Sequence, residues 1–335
     1  MDAIAFLIGP YSIYWSTIML TLAAAVGLLL YWCFYLWDGS DRLGAFFPVP
    51  FALVFSVLLS RLAHWYFRAD SYESLYSAMT DYSYGGFALM GAFAGCFLAA
   101  ALLALFRRGK HFGTMLDAMS VAGCGGVSLG RLACFCNSAD RGQTVAPGGL
   151  FASVLMNPAT GAQECRLATF LLQSITAGVI FLLLCFLFFW GRSDHRRKDG
   201  DLFWLFCLYY GGTEAVLDST RYDSLYFRSN GFVSATQILC LLAVVIALLV
   251  FTRRFQKADG WMPGLLAFWG SCIVLLGGAG YMEYYVQRHG SEAAFAYSIM
   301  SACMALVLIL GTALWAVTRR REIPRSLPTI YPKVV

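Results

Sequence analysis

Apolar residues run in long blocks along this chain, and short polar segments separate the blocks. Nine blocks are each close to twenty residues long: 11–36, 45–68, 86–106, 112–135, 167–191, 201–219, 232–252, 262–283 and 294–317. A helix rising about 1.5 Å per residue needs about twenty residues to cross a hydrocarbon layer about 30 Å thick. Backbone groups in hydrocarbon must satisfy one another, so helices or closed barrels are the choices. Barrel strands alternate polar and apolar positions, and these blocks do not. The pattern predicts an all-α polytopic membrane protein with about nine transmembrane helices. The fourth and sixth blocks are the least apolar. The one long interruption, 136–166, is polar and contains Gly and Pro, and connections of that length are usually functional or disordered. The first block lacks a positively charged leader, so Met1 to Trp37 reads as a retained helix.

Composition agrees. Of 335 residues, 59% are hydrophobic and 13% charged. A soluble domain has too little interior for so much apolar surface. The net charge of +5 matters less than its placement. Arg42; Arg107, Arg108 and Lys110; Arg192, Arg196, Arg197 and Lys198; Arg253, Arg254 and Lys257; and Arg319, Arg320, Arg321, Arg325 and Lys333 all fall on alternate connections. The first connection of the other set carries Asp70, Glu73 and Asp81. The positive-inside rule then puts the N-terminus outside and the C-terminus in the cytoplasm. The short basic clusters form no nucleic-acid footprint, so no nucleic acid partner is expected. Eleven scattered cysteines contain no C-x-x-C pair, and most lie in apolar runs, where Cys acts as a small hydrophobe. No metal site is expected.

Charges inside spans are costly and face a bundle interior or a wet cavity. Counted along their helices from the inner face, Arg61 and Arg131 stand roughly 24 and 28 Å up, and Glu214, Asp218 and Arg221 roughly 20, 26 and 30 Å. All five approach the outer interface. Glu214, Asp218 and Arg221 are spaced i,i+4 and i,i+3, which puts them on one helical face. Such a set can be a structural ion network, a proton site or the frame for an anion. Several arginines at headgroup depth suit phosphate, because guanidinium offers planar paired donors. That points to phospholipid as ligand or substrate, without separating an enzyme from a lipid-binding protein.

The densest local signal is Gly130-Arg131-Leu132-Ala133-Cys134-Phe135-Cys136-Asn137-Ser138-Ala139-Asp140-Arg141-Gly142, preceded by Gly123, Gly125 and Gly126. Small residues let membrane helices approach closely. The segment resembles the signature of the prolipoprotein diacylglyceryl transferase family, G-R-x-G-N-F-x-N-G-E-x-x-G. Gly130, Arg131, Phe135, Asn137 and Gly142 match; Cys134 stands for Asn and Ala139 for Glu. Further echoes follow in order: Ile8-Gly9-Pro10 with Ile13-Tyr14-Trp15, Arg61-Leu62, Gly85-Gly86-Phe87-Ala88-Leu89-Met90-Gly91 with Met90 in place of a His, Asp117, then Arg166, Thr169 and Leu171. Tyr210-Gly211, Glu214, Asp218 and Arg221 resemble Y-G-x-x-R-F-x-x-E-F-x-R, with Glu214 in place of Arg, and Ser234 and Gln237 echo S-M-G-Q.

The resemblance spans about 5–250 and implies a seven-helix transferase-like core, 1–255. Residues 256–335, two more spans and a basic tail, have no counterpart in it. It implies transfer of the diacylglyceryl group of phosphatidylglycerol to the lipobox cysteine thiol of a prolipoprotein in a bacterial plasma membrane, with no cofactor. The catalytic residues it suggests are Arg131 and Arg221, with Glu214 or His64 as base because Met90 cannot serve. Arg61, Arg131, Asn137, Gly142, Asp218 and Gln237 are the substrate-binding candidates. A catalytically altered phospholipid-binding relative is the main alternative. An ion-coupled transporter is the other, although no inverted repeat is evident.

Overall fold

The structure is a computed structural model, and it describes residues 4–9, 11–80, 86–106, 111–156, 161–193, 197–226, 232–258, 261–289 and 292–322. Asp81, Gly85, Pro10, Arg107, Arg108, Lys110, Arg196, Arg325 and Lys333, used above, lie outside them. A hairpin of β1 (Ile4–Ile8) and β2 (Tyr11–Tyr14) leads into α1 (Trp15–Trp37). The short α2 (Arg42–Phe46) turns into α3 (Pro48–Phe67), and α4 (Leu75–Thr80) precedes α5 (Leu89–Phe106). Helix α6 (Phe112–Arg131) tightens into a 3-10 turn, Leu132–Cys136. A second hairpin, β3 (Ala152–Met156) and β4 (Gln163–Leu167), occupies the long interruption. Then come α7 (Thr169–Ser193), α8 (Asp201–Ser219), α9 (Ala235–Lys257), α10 (Met262–His289) and α11 (Ala293–Glu322).

Eight helices among the described residues are long and apolar enough to cross a membrane, α2 and α3 counting together. The ninth expected span is α8. Its nineteen residues include Asp201, Glu214 and Asp218, and thirteen of the nineteen are buried within the bundle. A helix walled in by protein on most sides can carry acids that a lipid-facing one cannot. The outer surface is different: Leu105, Phe106, Leu182, Ile273 and Val274 are all exposed, by 66 to 85%. Such a surface needs lipid around it. The chain is a multi-pass membrane protein.

Small residues set the helix spacing. A Cβ on Gly91 would fall on the backbone of Leu59 and Ser60, and one on Gly95 on that of Phe55 and Ser56, so α5 and α3 touch main chain to main chain. Ser56 and Ser60 Oγ donate to Ala92 and Ala88 carbonyls at 3.0 and 2.8 Å across that contact. The glycine run of α6 brings it beside α1 less tightly: a Cβ on Gly126 would meet the Ala23 carbonyl at 3.6 Å and Gly27 Cα at 3.7 Å, while one on Gly125 would strike the Leu30 side chain at 2.7 Å. At one end of the bundle the ionic groups are basic and interlocked. Arg197 pairs with Asp38 at 2.8 Å, while fully buried Asp201 accepts from Arg254 and, at 3.1 Å, from Arg319. Asp117 accepts from Gly200 and Phe203 backbone N–H at 3.0 and 2.9 Å, holding the first turn of α8. The opposite end holds the other set of buried charges.

Candidate active site

The site is assembled where α6 and α8 end and α9 begins. Helix α6 delivers Arg131 at its last position, and the 3-10 turn then swings the chain back over it. Asn137 Oδ1 accepts from the Ala139 N–H at 3.0 Å, closing a turn, and Asp140 follows at φ +56°. That left-handed conformation is one Asp tolerates better than most residues. It aims the Asp140 carboxylate back at Arg131.

Arg131 donates through Nη1 to Asp140 and through Nη2 to Glu214 Oε1 at 2.9 Å, so the tail of α6 is tied to the middle of α8. Gln173 Nε2, on α7, donates to the same Glu214 oxygen at 2.8 Å. Arg221 Nη2 meets the other Asp140 oxygen at 2.5 Å, its Nε donates to Asp223 at 3.0 Å and its Nη1 to Asp218 at 3.3 Å. One carboxylate, Asp140, therefore bridges the two arginines. Burial alone would raise its pKa, but the guanidinium groups of Arg131 and Arg221 outweigh burial and hold Asp140 well below the usual carboxylate range. Arg221 is held above its ordinary value, since Asp140 and Asp223 outweigh the opposing effect of burial.

Two guanidinium groups thus meet four carboxylates, Asp140, Glu214, Asp218 and Asp223, a formal excess of two negative charges when all are ionised. An arriving phosphate must exchange with a carboxylate rather than add to free cations. Arg131 is 8% exposed, and its Nε is buried with no hydrogen-bond partner among the described residues. Arg141 differs. It is 5% exposed, donates through Nη2 to the Cys134 and Asn137 carbonyls at 3.2 and 3.0 Å, and stacks on Phe170 with no ion pair among the described residues.

The other sequence candidates form the frame. Asp218, wholly buried, accepts from Ser234 Oγ and thereby fastens α8 to the start of α9. Ser234 and Gln237 make a reciprocal capping box on α9, and Gln237 Nε2 also reaches the Ala215 carbonyl at 3.2 Å. Gly142 pairs with Arg221 as an isolated bridge. A Cβ there would lie 2.6 Å from Thr169 Oγ1, 2.8 Å from Leu167 Cβ and 2.9 Å from the Thr220 carbonyl, so only glycine fits. Asn137 shapes the turn through its side chain, as described above.

Arg61 and His64 belong to a second locus, built on α3 and residues 72–80 and 86–88. Arg61 donates to the Ala78 carbonyl and to Gly86 at 2.9 Å, beneath Tyr72, and His64 Nδ1 shares a 2.9 Å hydrogen bond with the Tyr72 hydroxyl. Sequence reasoning did not single out Asp140, Asp223 or Gln173 as site residues. Asp140 stands one position after the place where the family signature has Glu, so the register of the motif does not mark it. Asp223 and Gln173 carried no local signal, because only folding brings them to the arginines.

Residues 3–253 match the family described as prolipoprotein diacylglyceryl transferase. Among similar proteins, the phosphatidylglycerol–prolipoprotein diacylglyceryl transferase of Bacillus cereus is 25% identical over 276 residues, covering 77% of this chain and 95% of its own. That of Dehalococcoides mccartyi is 26% identical over 268 residues, covering 77% and 96%.

Proposed function

The chain belongs to the prolipoprotein diacylglyceryl transferase family, and from that premise we propose that it moves a diacylglyceryl group from phosphatidylglycerol to the lipobox cysteine of a prolipoprotein. In that reaction a C–S bond forms as the ester C–O bond to phosphate breaks, the leaving glycerol phosphate keeps the electron pair, and the thiol gives up its proton. The observation that supports this reading is the convergence of Arg131 and Arg221, from different helices, on the single carboxylate of Asp140. The headgroup phosphate takes Asp140's place between them, and their charge stabilises the leaving group where negative charge develops. Glu214, hydrogen-bonded to Arg131, accepts the thiol proton; it is favoured over His64, whose hydrogen bond goes to Tyr72. Asn137, Gly142, Asp218 and Gln237 serve binding by holding the loop and helix ends, and Arg61 by shaping the neighbouring wall. The membrane is a bacterial plasma membrane, the N-terminus is outside, and the site lies level with the outer headgroups. Residues 1–255 carry the chemistry, and 256–335 are an addition to it.

The test is incubation of purified protein with phosphatidylglycerol and a lipobox peptide, following thioether product and released glycerol phosphate together. Both should appear in equal amounts, and Arg131→Ala should lower turnover by about 100-fold or more, the scale of a lost transition-state donor. Phosphatidylglycerol binding without either product would instead favour a phospholipid-binding relative that no longer transfers. One observation speaks for that second reading: Glu214 occupies a position where the family motif has Arg, and it takes up a donor of Arg131.

A further inference from the structure

Helix α11 lies beyond the family-matched residues 3–253, yet it bonds to the segments that carry Asp140 and Arg221. Tyr297, in its second turn, accepts from Gln143 Nε2 at 3.0 Å and donates to the Ser219 carbonyl at 3.1 Å. Gln143 lies three residues after Asp140, and Ser219 two before Arg221. Between them the two segments are zipped by backbone: Gln143 N–H to the Thr220 carbonyl at 3.1 Å, Tyr222 N–H to the Arg141 carbonyl at 3.1 Å, and the Gly142–Arg221 bridge. This zip sets how closely Asp140 approaches Arg221. Ser219 ends α8, where carbonyls lack intrahelical partners, so the tyrosine hydroxyl also caps that helix. The zip is an isolated bridge rather than part of a longer sheet, and a hydroxyl anchored in a thirty-residue helix fixes its end.

We propose that Tyr297 is a positioning residue for the transfer reaction, tying the Asp140 loop to the Arg221 segment from the added C-terminal helix pair. The inference rests on the transferase reading and gives 256–335 a part in it. It makes the C-terminal helices a component of the catalytic unit.

The experiment is Tyr297→Phe in the full-length protein, which keeps the ring packing and removes only the hydroxyl, combined with Gln143→Ala and the double variant. Turnover, the KM for phosphatidylglycerol and the melting temperature are measured on each. The expected result is a fall in kcat of about tenfold for Tyr297→Phe, with little change in melting temperature. The double variant should be little worse than either single one, because both remove the same tie. Amides of Gln143 and Tyr222, which close the zip, should lose protection from hydrogen exchange in Tyr297→Phe. Unchanged kcat, or a lowered melting temperature with unchanged kcat per folded molecule, overturns the proposal. Wild-type protein without thioether product overturns the transferase reading and this inference with it. Wild-type turnover matched by Tyr297→Phe overturns the inference alone.

Discussion

Asp140 holds the two arginines at a fixed separation, and its own charge state is set by them. A carboxyl whose pKa is depressed on folding adds stability above its unfolded value of about 3.9 and loses it only as pH falls through the lower folded value. Asp140 is of this kind. It stays ionised throughout the working range, and no inflection of turnover between about pH 5 and 9 belongs to it. Asp140→Asn should leave Arg131 and Arg221 facing each other without a bridging charge and cut turnover by about tenfold or more. The shape of the pH–rate profile between about pH 5 and 9 should be unchanged. A variant that gains or loses a limb in that window would show that Asp140 titrates there after all.

Each helix of the site is pinned at an end, and the pins are small residues or caps. Gly142 shows the cost most plainly, since a Cβ would strike a side-chain oxygen, a side-chain carbon and a main-chain carbonyl, all within 3 Å. The Thr220 carbonyl and the paired Arg221 belong to the zip and cannot yield without moving Asp140. Gly142→Ala should therefore destabilise the protein by about 1–3 kcal/mol, the usual scale of overpacking, and lower turnover as well. Thermal unfolding in detergent with and without phosphatidylglycerol checks the first effect, and thioether formation the second. A variant with wild-type melting temperature and rate would mean that the loop has room the structure does not show. The capping box of Ser234 and Gln237 plays the same part at the start of α9, where Ser234 serves the cap and Asp218 at once.

At the scale of the molecule, two buried ionic systems lie at opposite ends of one apolar bundle. The end remote from the site is organised by Asp201, which accepts from Arg254 on α9, Arg319 on α11 and the Lys198 N–H before α8. Removing one member of such a buried set strands the others, at a cost of about 3–5 kcal/mol. Asp201→Ala should lower the melting temperature markedly while turnover per folded molecule holds, because no site residue touches Asp201. A fall in kcat with unchanged stability would instead reveal coupling along α8.

The long apolar blocks, the basic connections and the ends of most helices were legible in the sequence, because lipid imposes length and hydropathy residue by residue. Arg131, Glu214 and Arg221 were legible too, as charges where hydrocarbon forbids idle ones. The glycine run was legible as close packing and is close packing, against α1 at Gly126 and against α1 and α7 side chains at Gly125. Residues 11–14, assigned to the first helix by hydropathy, instead form β2, because Gly9 at φ +59° turns the chain into a hairpin before Trp15. The 136–166 interruption likewise carries a hairpin that its polar composition did not announce. Tertiary structure alone decided that Glu214 meets Arg131 and that Asp140 bridges both arginines, that Gln237 and Asn137 build frame and turn, that His64 answers to Tyr72, and that Tyr297 reaches the site from outside the family region. The physical reason is range: hydrophobic burial is written locally and sums along the chain, whereas the pairs that join Arg131 to Glu214 and Arg221 to Asp140 exist only where segments far apart in sequence are brought into contact.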